Sequence, residues 1–343
     1  MNAPLPSLPP TTHRIGRTAL EVTRLGMGCA PLGDLFELLT DAQAIAAIDA
    51  AYAGGIRFFD TAPWYGTGKS ELRAGFGLRG KADVVVATKV GRVLTRGGSL
   101  DPSRRWKGGL PFGVNFDYTY AGIMRSFEDS LQRLGLPKVH ALAIHDLDLL
   151  YHGTWEAVYA RLDELDHGGG HRALRELAAA RDTVAIGAGI NRTGLIPKFL
   201  ERFELDYFIV AMPYTLLSQE GLDELDLCRQ RGVSVIIGAP FASGLLVSGS
   251  ARPTTYDYAA APPEMVARTA QLEAVCAEYA VPLPAAALQF VLAHPAVAAV
   301  IPGYNSPAQA EGCLAWLSTP IPADFWQALQ TQSLIAPGAP VPE

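Results

Sequence analysis

Eight short apolar runs, alternating with amphipathic helical patterns, constrain the fold of this chain more than any other feature of its sequence. The runs fall at residues 25–28, 57–60, 84–88, 140–145, 184–188, 207–211, 233–238 and 298–302. Val84-Val85-Val86-Ala87 and Val233-Ser234-Val235-Ile236-Ile237 are rich in β-branched residues, as expected of strands covered on both faces. Residues 41–53, 70–78, 118–134, 173–181, 194–203 and 222–231 repeat apolar positions every three or four residues, as do 263–280 and 285–293 before the last run. Such alternation demands a parallel sheet, either doubly wound or closed on itself. A doubly wound dinucleotide-binding sheet needs Gly-x-Gly-x-x-Gly after its first strand. Here Gly26-Met27-Gly28-Cys29-Ala30-Pro31 lacks the third glycine and puts a proline where a helix would open. The expected fold is therefore an α/β (β/α)8 TIM barrel, with active-site residues at the carboxyl ends of the strands.

The chain, at 343 residues, is long enough for one such barrel. The expected organisation is a flexible tail over 1–12, a single barrel over 13–335 and a flexible tail over 336–343. Residues 13–22 alternate about Gly16-Arg17-Thr18 in the manner of a β-hairpin, placed to plug one end of the barrel. Segments 91–117, 147–170 and 241–262 are long for simple connections. The first and third follow strands three and seven and should overhang the mouth, where loops carry specificity.

A net charge of −6, with no basic cluster beyond Arg104, Arg105 and Lys107, argues against a nucleic-acid partner. No apolar run reaches the roughly 18 residues of a membrane span. The first ten residues carry four prolines and no charge, unlike a signal peptide. Cys29, Cys228, Cys276 and Cys313 are widely spaced, which suits buried thiols in a reducing compartment. The expectation is a cytoplasmic enzyme acting on a small molecule, with no nucleic-acid or membrane partner.

Residues 58–66, Phe-Phe-Asp-Thr-Ala-Pro-Trp-Tyr-Gly, pass from a strand into a turn, so Asp60 ends strand two and Tyr65 sits on the loop above it. In a barrel the ends of strands two, three and four converge, bringing Asp60, Lys89 and His145 together beside Tyr65. A phenol titrates near about 10, too high for neutral-pH proton transfer, unless a buried ammonium stabilises its phenolate. Lys89 would do this and Asp60 would keep Lys89 charged, while His145 orients a substrate oxygen. Metal-dependent hydrolysis through His145, Asp146 and Asp148 is disfavoured, because only one histidine ends a strand and no His-x-His pair exists. No metal is expected.

The same residues carry a resemblance to the aldo-keto reductase family, from Arg14 to about Leu317. Gly16-Arg17-Thr18-Ala19-Leu20-Glu21-Val22 and Leu25-Gly26-Met27-Gly28 resemble that family's N-terminal hairpin and first strand. Asp60-Thr61-Ala62, Tyr65-Gly66, Ser70-Glu71, Thr88-Lys89 and His145 resemble its catalytic tetrad in order and spacing. The resemblance implies an oxidoreductase using NAD or NADP, in which Tyr65 is the general acid or base, Asp60 and Lys89 tune it and His145 orients the carbonyl or hydroxyl. It implies a coenzyme held by Gly28, Cys29, Asp60, Asn191, Ser243, Gly244, Leu245, Gly303, Ser306, Gln309 and Cys313, with Ser306 capping the next helix. Where the family often offers Lys and Arg to the 2′-phosphate of NADP, this chain has Gly303 and Gln309, and residues 301–316 contain neither Lys nor Arg. NAD is therefore expected to serve at least as well as NADP.

The usual Ser, Gln and Tyr around the nicotinamide are represented by Gly189, Ala211 and Gly238, which leaves Asn191 first and Tyr214 second as candidates to grip the ring. Trp64, Trp106, His145 and Phe241 are expected to line the substrate pocket. The Gly187-Ala188-Gly189-Ile190-Asn191 and His145-Asp146-Leu147-Asp148 stretches and the turn at 168–174 look most similar to the branch that oxidises sugars and pyridoxal. The leading expectation is oxidation of an aldose of the L-fucose or D-threo type at C1 to the lactone. Pyridoxal or general aldehyde chemistry is the alternative on the same residues, and a non-catalytic NADP-binding sensor subunit is an answer of a different class.

Overall fold

The structure, a computed structural model, describes residues 11–97, 105–252 and 255–342. Its main sheet contains eight parallel strands: β1 (Met27–Gly28), β2 (Phe58–Asp60), β3 (Val85–Val90), β4 (Ala141–His145), β5 (Ala185–Ile190), β6 (Tyr207–Ala211), β7 (Ser234–Gly238) and β8 (Val297–Ile301). Each pairs with its neighbour in this order, as expected for a (β/α)8 barrel. Parallel bridges Leu25–Val300 and Gly28–Gly303 join the first strand segment to the last, and Gly28 N donates to Pro302 O at 2.9 Å.

Alternation along the strands divides the apolar residues into two cores. Phe59, Val86, Leu142 and Ile144 pack with the surrounding helices. Phe58, Ala87, Ala141, Ala143, Ala185, Tyr207, Ile236 and Ala299 form the separate barrel interior. The alanines are needed there because eight strands leave a narrow core.

The hairpin Thr12–Arg14 with Glu21–Thr23 adds Ile15, Leu20 and Val22 to this interior cluster, sealing the amino end. Gly16 makes the close approach: its φ is 52°, its N–H donates to Ser234 Oγ at 2.7 Å, and a Cβ would come within 2.5 Å of Asp206 O. The hairpin already includes Thr12, so the expected tail is shorter by one residue at that side, and its residues 1–10 lie outside the described residues.

The register sets the carboxyl ends at one level. Gly28 is opposite Asp60, Lys89 opposite Ala143, His145 opposite Gly189, and Gly238 opposite Ile301. A ring of strand ends therefore faces one mouth.

One long segment carries helices of its own, and one expectation needs correction. Segment 147–170 is helical over Leu149–His152 and Trp155–His167. Thr154 caps the second helix by accepting from Ala157 N, and Trp155, Val158, Leu162 and Leu165 supply a helical period. The stretch after 336 packs rather than hanging free at its start: Ala336 N donates to Gln219 Oε1 at 3.0 Å, and Ala339 is buried. Among the described residues no single helix is long and apolar enough to cross a membrane.

Candidate active site

Asp60, the last residue of β2, and Lys89, next to last in β3, are both buried and form an ion pair of 2.5 Å. Lys89 Nζ also donates to Thr61 O at 2.9 Å. Behind them Thr88 donates to Glu71, whose other oxygen pairs with Arg133, so the strand is anchored against the helices Lys69–Leu78 and Tyr120–Leu134. Tyr65 comes from the turn after β2, which is tied down where Thr61 Oγ1 meets Ser70 Oγ and where Ser70 reaches Cys29 O. Gly66, at φ 62°, lies against Gly33, leaving no room for a Cβ on either. These contacts aim Tyr65 at the strand ends. Lys89 Nζ lies 4.6 Å from its ring centre, and the His145 ring lies edge-on at 5.8 Å.

The electrostatics are those of a dry site. Burial pushes the Asp60 carboxyl up, against the pull of Lys89. Burial also pushes the Tyr65 phenol well above 10, and the Asp60 and Asp146 carboxylates add to the rise. The lowering expected from Lys89 does not prevail, because burial and the nearby carboxylates of Asp60 and Asp146 raise the phenol. Burial holds His145 well below 6.5 and hence neutral.

Asp146 follows His145 in the left-handed region at φ 54°, a conformation that costs about 1–3 kcal/mol and tends to mark functional sites. Met212 after β6 and Ala239 after β7 share this feature. Burial works against the charge of Asp146, but the His145 ring at 3.2 Å, Arg92 at 2.5 Å and Asn191 Nδ2 at 2.9 Å outweigh it and keep the carboxyl low. Arg92 is itself caged by the rings of Trp64, Phe116 and Tyr151, 4.2–4.7 Å from its guanidinium. Burial and the neighbouring Asp146 raise Asp148 to about 6.

A cavity of about 640 Å³ opens over this cluster and continues to the helix Pro307–Leu317. It brings together Asp60, Tyr65, Lys89 and His145 with Gly28, Asn191, Ser243, Gly244, Gly303, Gln309 and Cys313. Trp64, Trp106 and Phe241 line it as well. The Trp106 ring is 5.7 Å from both Trp64 and Tyr65, so it roofs the cluster.

Cys29, Leu245 and Ser306 do not line the cavity. Cys29 is fully buried with its thiol toward Met27 O, and Leu245 packs into the core. Ser306 is the N-cap residue of the helix Pro307–Leu317, as expected, but its side chain makes no capping bond. Tyr214 is buried and stacks on Phe290, away from the nicotinamide role considered for it. Arg192, just after β5, is committed to Asp257 at 2.6 Å.

Sequence reasoning missed Arg92, Arg105, Tyr151 and Tyr258 in and around the cavity. Arg105 donates to Tyr151 at 3.1 Å and lies over the Tyr258 ring. No spacing signal announces them, since they come from three loops that meet only in space.

The residues present fit a nicotinamide dinucleotide. Gly189, Ala211 and Gly238 leave one wall without bulky side chains, and a Cβ at Gly28 would strike Ile301 O at 2.7 Å, so bare backbone borders the groove. Asn191 donates to Asp146 and Asp148, leaving Oδ1 as the group it can offer to a ligand.

A barrel whose strand ends gather a tyrosine, a lysine and a histidine beside such a groove defines an NAD(P)-dependent oxidoreductase. The chain belongs to the aldo-keto reductase family, whose profile, described as the Aldo/keto reductase family, matches residues 24–333. It is 41% identical over 334 residues to pyridoxal 4-dehydrogenase of Microbacterium luteolum, covering 94% of this chain and 97% of that one. It is 34% identical to a D-threo-aldose 1-dehydrogenase of a Pseudomonas species, covering 92% and 95%. In structure it is similar to the holo form of an aldo-keto reductase of Bacillus halodurans, with a TM-score of 0.75, 26% identity and coverage of 97% and 98%.

Proposed function

We propose that this enzyme oxidises the hemiacetal carbon of a compact cyclic substrate to a lactone, with NAD serving at least as well as NADP. One observation carries the reading: Tyr65, Lys89 and His145 meet in a cavity walled by Trp64, Trp106 and Phe241. Aldoses and pyridoxal share the required chemistry, since each closes one of its own hydroxyls onto an aldehyde and presents a ring carbon bearing O–H and C–H.

A nicotinamide dinucleotide, when bound, supplies the hydride acceptor. The chain's own residues do the rest. Neutral His145 orients the reacting oxygen. Tyr65 takes the hydroxyl proton as the C–H hydrogen departs with its electron pair, which leaves the C=O of the lactone. Lys89 stabilises the phenolate that precedes this transfer, and Asp60 fixes the ammonium in place. In the reductive direction Tyr65 gives the proton back.

Asp146, Arg105 and Tyr151 offer acceptors and donors to the remaining hydroxyls of a sugar. The aromatic walls and the 41% identical relative favour pyridoxal as the second substrate reading. Formation of reduced coenzyme across a panel of aldoses and pyridoxal separates them. The highest kcat/KM with L-fucose or a D-threo aldose supports the first and the highest with pyridoxal the second. Turnover of neither sinks the hemiacetal reading.

A further inference from the structure

The loop after β1 carries Glu37 to the far end of the cavity, where its carboxylate accepts a hydrogen bond from Asn305 Nδ2 on the segment after β8. Three sets of bonds fix this loop. Asp34 pairs with Lys69 at 2.7 Å and Arg73 at 2.6 Å, and its Oδ1 also accepts from Leu39 N. Phe36 N donates to Arg105 O, and Lys107 N donates to Asp34 O. Glu37 is thus an exposed charge on a rigid mount, and among the described residues no cation pairs with it.

The side chains that the segment after β8 brings to it, Asn305 and Gln309, are polar but neutral. Gln309 Oε1 accepts from Asn305 N at 2.8 Å, and residues 301–316 hold no Lys or Arg. The one charged residue within 301–316 is Glu311, which does not line the cavity, whereas Glu37 does. A carboxylate accepts hydrogen bonds and repels anions. A ribose diol offers donors to it, whereas a 2′-phosphate brings nearly two negative charges.

We propose that Glu37 is a coenzyme-selecting residue, accepting from the adenosine ribose of NAD and repelling the 2′-phosphate of NADP. The proposal rests on the reading that the adenosine end lies beside Asn305 and Gln309. It also goes beyond the absence of cations after β8: the chain adds an opposing charge from a different loop.

The test is equilibrium binding of NAD and of NADP to the wild type, Glu37→Gln and Glu37→Lys, followed by tryptophan fluorescence. Trp64, Trp106 and Trp316 line the cavity and report occupancy without turnover. Neutralising Glu37 is expected to move the ratio of the two Kd values toward NADP by about fivefold to tenfold, and Glu37→Lys to move it further. Raising salt should erode the wild-type discrimination more than that of Glu37→Gln, because mobile ions screen an exposed charge. A shift of less than threefold in Glu37→Gln, or an equal salt response in both proteins, overturns the assignment. A wild type that binds NADP more than tenfold tighter contradicts the NAD reading instead, and that result is read from the wild type alone.

Discussion

The Lys89 ammonium stands 4.6 Å from the centre of the Tyr65 ring while bonded at 2.5 Å to Asp60. This relationship gives the site its acid-base character. Lysine is near enough to stabilise a phenolate, yet the dry surroundings and the Asp60 carboxylate raise the phenol's pKa.

Tyr65→Phe removes the proton carrier and little volume. Turnover should fall about 10²- to 10⁴-fold with the coenzyme Kd nearly unchanged. Near-normal turnover, with chemistry shown to limit the rate, assigns the proton transfer to another group.

Oxidation requires Tyr65 to be unprotonated, and its pKa is raised, so kcat/KM for oxidation should climb with pH through the alkaline range. Reduction requires the protonated phenol and should be flat near neutrality. Lys89→Met removes the stabilising cation and should displace the oxidative rise to still higher pH. A profile that does not move breaks the coupling between the two residues.

Trp64, Trp106 and Phe241 wall the cavity near the cluster or across its mouth. Alanine at each should raise the KM of the substrate more than that of the coenzyme, as loss of an aromatic face against a ring would do. The reverse ranking, seen in steady-state kinetics, would place these residues against the coenzyme.

Gln309 now holds the Asn305 N–H, and Gln309→Arg both frees that donor and brings a cation to the 2′-phosphate. The kcat/KM ratio should move toward NADP by about tenfold or more, a change of only ~1.4 kcal/mol. An unmoved ratio would show that the adenosine ribose lies elsewhere.

Asp34 is fully buried between Arg73 and Lys69. Asp34→Ala leaves the mostly buried Arg73 without this partner and should cost about 3 kcal/mol in denaturant unfolding. It also unties the loop bonded to Trp106, so substrate KM should rise. A loss below about 1 kcal/mol would mean that Asp41, the other partner of Arg73, is sufficient.

The barrel was legible because its strands are short apolar runs of one kind, and each lies within about two residues of the expected position. Asp60, Tyr65, Lys89 and His145 were legible because chemistry-bearing residues recur at successive strand ends. Segment 147–170 is recognisable in the sequence only as long for a connection, although Thr154 caps a helix over Trp155–His167 within it. Arg92 and Tyr151 were not legible at all. Each looks ordinary in sequence, and their importance comes from burial and from meeting Asp146 and Trp64 across separate loops. The direction of the Tyr65 shift is not legible for a related reason: sequence reveals a lysine nearby but not the loss of water or the charge of Asp60 that oppose it.

The central claim is hydride removal from a hemiacetal carbon, and isotopic labelling tests it most directly. The enzyme is incubated with NAD and the best substrate carrying deuterium at that carbon, and both products are analysed by mass. The account predicts deuterium in the reduced coenzyme and an unlabelled lactone. Deuterium retained in the organic product, with an unlabelled coenzyme, would contradict it.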